Sequence, residues 1–306
     1  MLLDCDPGHD DAIALLLALA SPEIELLGVT TVHGNQTLEK TTANAIRILE
    51  FAGRGEIPVA AGADRPLVRD LFVAAYVHGE SGLDGPTLPA PRARPVSQHA
   101  VDFIAERVLE SSSAVTLVPT GPLTNVALLL ARHPAVTARL GRIVLMGGSI
   151  AEGNVTPAAE FNIWADPEAA HRVFTSGLDV TMIGLDVTHK ALLTPDHGRE
   201  LRGAGRTGAM VAELLEFYSV FHRETYGFDG SPIHDAVAVA HVATPGLVET
   251  VERHVAIECG SELCRGRTLV DLWRRTGNAP NASVGVAIDA DRFLRLLVER
   301  VASLDD

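Results

Sequence analysis

A chain of 306 residues that is 47% hydrophobic and 21% charged buries a sizeable core, which excludes a disordered protein. Its 39 acidic and 25 basic residues give a formal charge of −14, which argues against nucleic acid or an anionic membrane surface as main partner, since both are met by clustered Lys and Arg. Three cysteines (Cys5, Cys259 and Cys264) make no disulfide framework and no tight metal-ligand pair, so free thiols in a reducing, cytoplasmic compartment are expected. The N-terminus has no basic region, and the longest apolar run, residues 12–20, is about half the length of a membrane span.

Strand-like and helix-like patterns alternate along the chain. A short apolar run, Leu2-Leu3, leads through an Asp/Pro/Gly turn into a predicted helix at 10–20, which Ser21-Pro22 ends. Strands follow at 24–32 and 57–61 around a helix at 38–52; after a long loop come a helix at 97–109, a strand at 115–119 and a helix at 122–132. Then come a strand at 143–146, a helix at 167–175 and a strand at 180–187. Residues 194–241 read as helical, with 208–226 the longest stretch, residues 251–288 as strands, and 291–302 as a closing helix. Continuous Val/Ile/Leu runs separated by helices signal strands buried on both faces. The expected fold is α/β: an open, mostly parallel central sheet flanked by helices, in a single domain over residues 1–306. Three loops, 64–95, 147–166 and 227–235, are long and rich in Gly, Asn, His and acids, and functional residues gather on such loops.

The strongest chemical signal is Asp4-Cys5-Asp6-Pro7-Gly8-His9-Asp10-Asp11, with four carboxylates between an apolar strand and the first turn of a helix. Helix capping explains one or two of them. Four so close repel one another unless a cation intervenes, and an all-oxygen set without nearby Cys suits Ca²⁺ or Mg²⁺ rather than zinc. A hydrophobic strand followed by Asp-x-Asp also opens phosphatases of the haloacid-dehalogenase type, which use Mg²⁺. That pattern wants Thr or Val where Gly8 stands, and it gives Asp10-Asp11 no role.

The Asp-x-Asp-Pro-Gly-x-Asp-Asp segment resembles the signature of the inosine-uridine preferring nucleoside hydrolases. Further matches follow in register: Thr30-Thr31-Val32-His33-Gly34-Asn35, His78-Gly79-Glu80-Ser81-Gly82, and Val118 through Asn125. Met146-Gly147-Gly148, Glu152-Gly153-Asn154 with Ala159-Glu160-Phe161-Asn162, and His234-Asp235 complete the series. The resemblance implies hydrolysis of the N-glycosidic bond of ribonucleosides, purine or pyrimidine, to ribose and free base, with a bound Ca²⁺. Asp6, Asp11, Asp235 and the carbonyl of Thr120 match the family's calcium ligands, and Asp6 its general base; Asp4 is expected to orient the cluster from behind. Asp10, Asn35, Asn154, Glu160 and Asn162 match ribose-contacting positions. His234 matches the proton donor to the leaving base, and His78 a position near that base.

Met146 and Phe161 are candidates for the base pocket, although apolar residues at a strand end more often pack the core. Tyr218, His222 and Tyr226 read first as a core stripe of the long helix, with closure over the base as the second reading. A non-catalytic nucleoside-binding protein is the other alternative; keeping Asp6, Asp11 and Asp235 together speaks against it. The resemblance further implies a homodimer or homotetramer acting in nucleoside salvage on a small-molecule ribonucleoside. Residues 219–231 follow the family only loosely, which leaves base preference open.

Overall fold

The computed structural model describes residues 1–305. Its first half alternates β1 (Leu2–Cys5), α1 (His9–Ala20), β2 (Gly28–Thr31), α2 (Leu38–Phe51), β3 (Val59–Ala61), α3 (Ala75–His78) and α4 (Ala100–Glu110). Next come β4 (Val115–Pro119), α5 (Thr124–Arg132), β5 (Leu140–Met146), α6 (Phe161–Ala165), α7 (Pro167–Phe174) and β6 (Val180–Ile183). A helical region follows: α8 (Leu185–Thr188), β7 (Leu192–Leu193), α9 (Pro195–Gly203), α10 (Arg206–Tyr226), β8 (Ser231–Pro232) and α11 (His234–Ala243). The chain then runs through β9 (Val248–Arg253), β10 (Val255–Ile257), β11 (Thr268–Val270) and β12 (Ala282–Ile288) into α12 (Ala290–Ala302).

Eight strands form the central sheet in the order β3-β2-β1-β4-β5-β6-β12-β9. All neighbours are parallel except the edge pair β12–β9. Parallel strands are covered on both faces, and every residue of β1, β2 and β6 is buried. One core cluster packs Ile13, Leu16, Leu17, Ile48, Leu214, Val237 and Phe293; the other packs Phe103, Ile104, Leu129, Val173 and Phe174. Truncating a fully buried ring such as Phe103 to Ala removes about 3–5 kcal/mol of stability. Helix α1 is apolar almost all round and buried from His9 to Ala18, packed against α11.

The structure shortens or splits several predicted elements. The strand expected at 24–32 begins only at Gly28, which stands opposite Leu2, the first residue of β1. The strand expected at 180–187 stops at Ile183, opposite Met146 at the end of β5, and Leu185–Thr188 turn into α8 behind Gly184. Conversely, β1 extends past Leu2-Leu3 through Asp4 and Cys5, since the Asp4 carboxylate finds buried donors. The helical region at 194–241 is interrupted by β8, which pairs with β7, and the loops at 64–95 and 147–166 contain α3 and α6. Among the described residues, no helix is long and apolar enough to cross a membrane.

Candidate active site

The matched segments converge on the carboxyl ends of four adjacent strands. Asp6 follows β1, His33-Gly34-Asn35 follow β2, Thr120 follows β4 and Gly147-Gly148 follow β5. Successive strands run outward in opposite directions from the β1–β4 pair, and the crevice at such a switch point is where open α/β sheets bind ligands. Two helix N-termini are aimed there as well: α1 carries Asp10 and Asp11 in its first turn, and α11 begins with His234-Asp235. Their partial positive charge favours carboxylates at these positions.

The floor of the crevice is acidic and buried. Asp4, Asp6, Asp10, Asp11 and Asp235 are all buried. Asp10, Asp11 and Asp235 each bring a carboxylate oxygen within 4.8 Å of the others. Asp10, expected as a sugar contact, therefore sits inside the acid cluster itself. Asp11 accepts from the backbone N–H of Gly8 (3.0 Å), the Asn35 amide (3.0 Å) and the Thr120 hydroxyl (2.9 Å). Asp6 Oδ2 accepts from the backbone N–H of Asn35 at 2.6 Å, while its Oδ1 is buried with no partner among the described residues. Asp4 stands behind them, held through Oδ1 by the Thr30 hydroxyl (2.6 Å) and the Asn125 amide (2.8 Å).

Burial, reinforced by neighbouring carboxylates, pushes Asp6 and Asp235 well above the usual carboxylate range; Asp10 is pushed up to about 7 by burial and then Asp11. Among the described residues, no Lys or Arg lines the pocket to relieve this. An orphaned buried oxygen on Asp6, three clustered carboxylates and an oxygen-only donor set fit a hard divalent cation. Close approach explains two glycines here. A Cβ at Gly34 would lie 2.0 Å from Asp6 Oδ2, and one at Gly8 would lie 2.5 Å from His78 Nδ1. The Thr or Val of the phosphatase pattern has no room at position 8.

Above the floor, a pocket collects every predicted sugar and base contact: Asp10, Asn35, His78, Met146, Asn154, Glu160, Phe161 and Asn162. Thr120, His234 and Asp235 line it too, whereas Asp6 and Asp11 lie beneath. Glu160 caps α6, accepting from the backbone N–H groups of Asn162 (3.0 Å) and Ile163 (3.2 Å), and also receives Gly148 N–H (2.9 Å). Burial lifts its pKa to about 7. The Asn162 amide donates to the carbonyls of Thr120 (2.7 Å) and Met146 (3.1 Å), leaving the second lone pair of the Thr120 oxygen free. Asn154 Oδ1 accepts from Phe161 N–H at 2.9 Å. His234 Nδ1 lies 2.7 Å from the Thr188 hydroxyl, and burial, followed by its histidine neighbours, holds its pKa well below the usual value.

The opposite wall is aromatic. Tyr218 and His222 are buried, as a core stripe would be, yet both line the pocket together with the half-buried Tyr226, so the row faces the crevice as well as the core. Sequence reasoning missed Tyr76 and Val77 on α3, Phe221 on α10, and His189 just after α8. Phe221 was legible in principle, since it follows the exposed Phe217 at i+4 beside the 218–222–226 row. His189 was hidden by reading α8 as strand.

The sequence family described as inosine-uridine preferring nucleoside hydrolase matches residues 1–295. A pyrimidine-specific ribonucleoside hydrolase RihA of Klebsiella pneumoniae (strain 342) is 51% identical over 304 residues, covering 99% of this chain and 98% of that protein. The RihA of Escherichia coli O7:K1 is 52% identical over 303 residues, covering 98% and 97%. Among solved structures, a purine-preferring ribonucleoside hydrolase from Gardnerella vaginalis superposes with a TM-score of 0.93 at 36% identity, covering 99% of this chain and 98% of that one. With the sheet, the crevice and the matched segments all in place, this chain belongs to the inosine-uridine preferring nucleoside hydrolase family and is a hydrolase of ribonucleosides.

Proposed function

We propose that this enzyme cleaves the N-glycosidic bond of pyrimidine ribonucleosides, uridine and cytidine, in a calcium-dependent reaction. The observation that carries the metal requirement is the buried acid cluster with the unpartnered Oδ1 of Asp6. Pyrimidine preference rests on the curated relatives, which share half of all residues across nearly the whole chain. The purine-preferring structural relative is more distant, at 36% identity.

Asp6, Asp11, Asp235 and the Thr120 carbonyl would hold the ion. When bound, calcium supplies Lewis-acid polarisation of water and sugar hydroxyls. The Asp6 carboxylate would take the proton of the attacking water. Positive charge developing on the ribosyl group meets Asp10 and Glu160, fixed before reaction by their own hydrogen bonds and helix positions. Asn35, Asn154 and Asn162 hold the ribose hydroxyls, and a sugar lacking one would leave buried groups unpaired. The Thr188 hydroxyl at His234 Nδ1 suits a neutral imidazole with its proton on Nε2, which stabilises the departing base by a hydrogen bond. Met146 and Phe161, with the aromatic wall, enclose the base.

We read the chain further as a cytoplasmic homodimer or homotetramer; the apolar side chains of Leu67, Val68, Leu71 and Phe72, exposed on one loop, support association. The test of function is ribose release from uridine, cytidine and inosine before and after stripping by a calcium chelator. Release that favours the pyrimidines, vanishes on stripping and returns with Ca²⁺ is expected. Undiminished release after stripping overturns the metal requirement, and a preference for inosine overturns the base assignment.

A further inference from the structure

His9 has no part in the chemistry above, yet it is fully buried at the start of α1. Its ring lies nearly parallel to those of Phe217 and Tyr218 on α10, with centroids 5.2 Å away in both cases. His9 Nε2 is 2.8 Å from the carbonyl oxygen of Asp84. A carbonyl only accepts, so the His9 proton is on Nε2 and its Nδ1 is a bare acceptor. That Nδ1 faces His78 Nδ1 at 3.2 Å. The backbone N–H of His9 also points at His78 Nδ1, again at 3.2 Å.

His78 Nδ1 thus meets one donor and one acceptor, both belonging to His9. Protonated, it donates to the His9 ring and opposes the backbone N–H. Bare, it accepts the N–H and opposes the ring lone pair. Each tautomer of His78 satisfies one contact at the expense of the other. Among the described residues, His78 Nε2 has no hydrogen-bond partner, and the residue lines the pocket. The polarity of Nε2 is opposite in the two tautomers: a donor when Nδ1 is bare, an acceptor when Nδ1 is protonated.

We propose that His9 is a positioning residue that keeps both tautomers of His78 accessible, so that the pocket-facing Nε2 donates to a keto base and accepts from an amino base. The inference rests on the ribonucleoside reading and deepens it. Uracil presents a carbonyl and an N–H where cytosine presents an amino group and a bare nitrogen, so a reader of fixed polarity favours one of them. A buried histidine able to reverse its polarity serves both.

The experiment compares wild type with His9→Phe, which keeps the backbone N–H and the stack on Phe217 and Tyr218 but removes both ring nitrogens. With the ring acceptor gone, the backbone N–H fixes His78 with its proton on Nε2. The ratio of kcat/KM for uridine to that for cytidine should then rise about tenfold, the value of one misdirected hydrogen bond. In ¹⁵N-labelled wild type, with the His78 signals assigned by comparison with His78→Gln, the ring shifts should report Nε2–H with uracil bound and Nδ1–H with cytosine bound. An unchanged ratio in a folded variant, or the same tautomer with both bases, overturns the proposal. The NMR arm needs neither turnover nor a folded His9→Phe variant. Absence of ribose release from every nucleoside would therefore count against the hydrolase reading and leave the tautomer measurement to decide this one.

Discussion

The floor and the wall of the pocket are built on opposite principles. The floor is polar and directional: Asp6 and Asn35 follow neighbouring strands, two helix N-termini bring the other acids, and backbone, amide and hydroxyl donors hold Asp6 Oδ2 and both oxygens of Asp11. The wall comes from α3, α10 and the turn after α8, and meets the pocket mainly through ring contacts. Directional bonds on a rigid sheet suit the part that must hold a cation and a sugar in fixed register. Ring packing, which tolerates a shift of a few tenths of an ångström, suits the part that meets a variable base. The difference teaches where catalysis and where selectivity should respond to mutation.

The largest effect is expected at the floor. Asp6→Asn keeps the bond from Asn35 N–H but removes the base, and should lower kcat by about 10²–10⁴-fold on uridine, cytidine and inosine alike. Steady-state assays on all three check this; a loss confined to one base would break the division between floor and wall. At the boundary of the two, His234→Ala should slow uridine by about 10²-fold while leaving p-nitrophenyl riboside, whose leaving group needs no proton, nearly unaffected. Equal losses on both substrates would place His234 with the floor. A third expectation concerns stability. In the metal-free protein, Asp10 has a pKa of about 7, above its unfolded value, so the folded state holds extra protons and loses stability as pH rises toward neutrality. Calcium needs the ionised cluster, so the gain in Tm on adding Ca²⁺ should be larger at about pH 8 than at about pH 5.5. Differential scanning calorimetry at the two pH values reads this directly, and equal gains would mean that the ion binds elsewhere.

The same contrast governs what could be read from the sequence. The floor was legible because its residues sit in short runs whose chemistry is unusual in itself, such as Asp4 to Asp11 and His234-Asp235. The α/β order was legible from the periodicity of the buried runs. Strand ends were not, since β2 and β6 stop where β1 and β5 run out of partners, a property of the neighbour rather than of the strand. The wall was only half legible. Tyr218, His222 and Tyr226 lie at i, i+4 and i+8 on one helix face, but the same spacing serves a core stripe, and only tertiary placement separates the two. Tyr76 and His189 carried no periodic signal, because α3 and α8 are single turns.

The smallest expected effect lies where wall and floor touch. The Tyr226 hydroxyl, at the end of α10, donates to the Asn154 carbonyl at 3.2 Å, and the Asn154 side chain in turn receives Phe161 N–H. Tyr226→Phe removes that single tie and keeps the ring against His222 and Phe228. One neutral hydrogen bond is worth about 0.5–1.5 kcal/mol, so a loss of roughly twofold to tenfold in kcat/KM is expected. Its distribution is more informative than its size. If the hydroxyl acts by steadying Asn154 against the ribose, uridine, cytidine and inosine lose the same factor, because they share the sugar. If it reads the base, the losses diverge. The fold favours the first outcome, since the bond goes to a backbone carbonyl of the loop that carries Asn154. Divergent losses would instead make the Tyr226 hydroxyl a reader of the base.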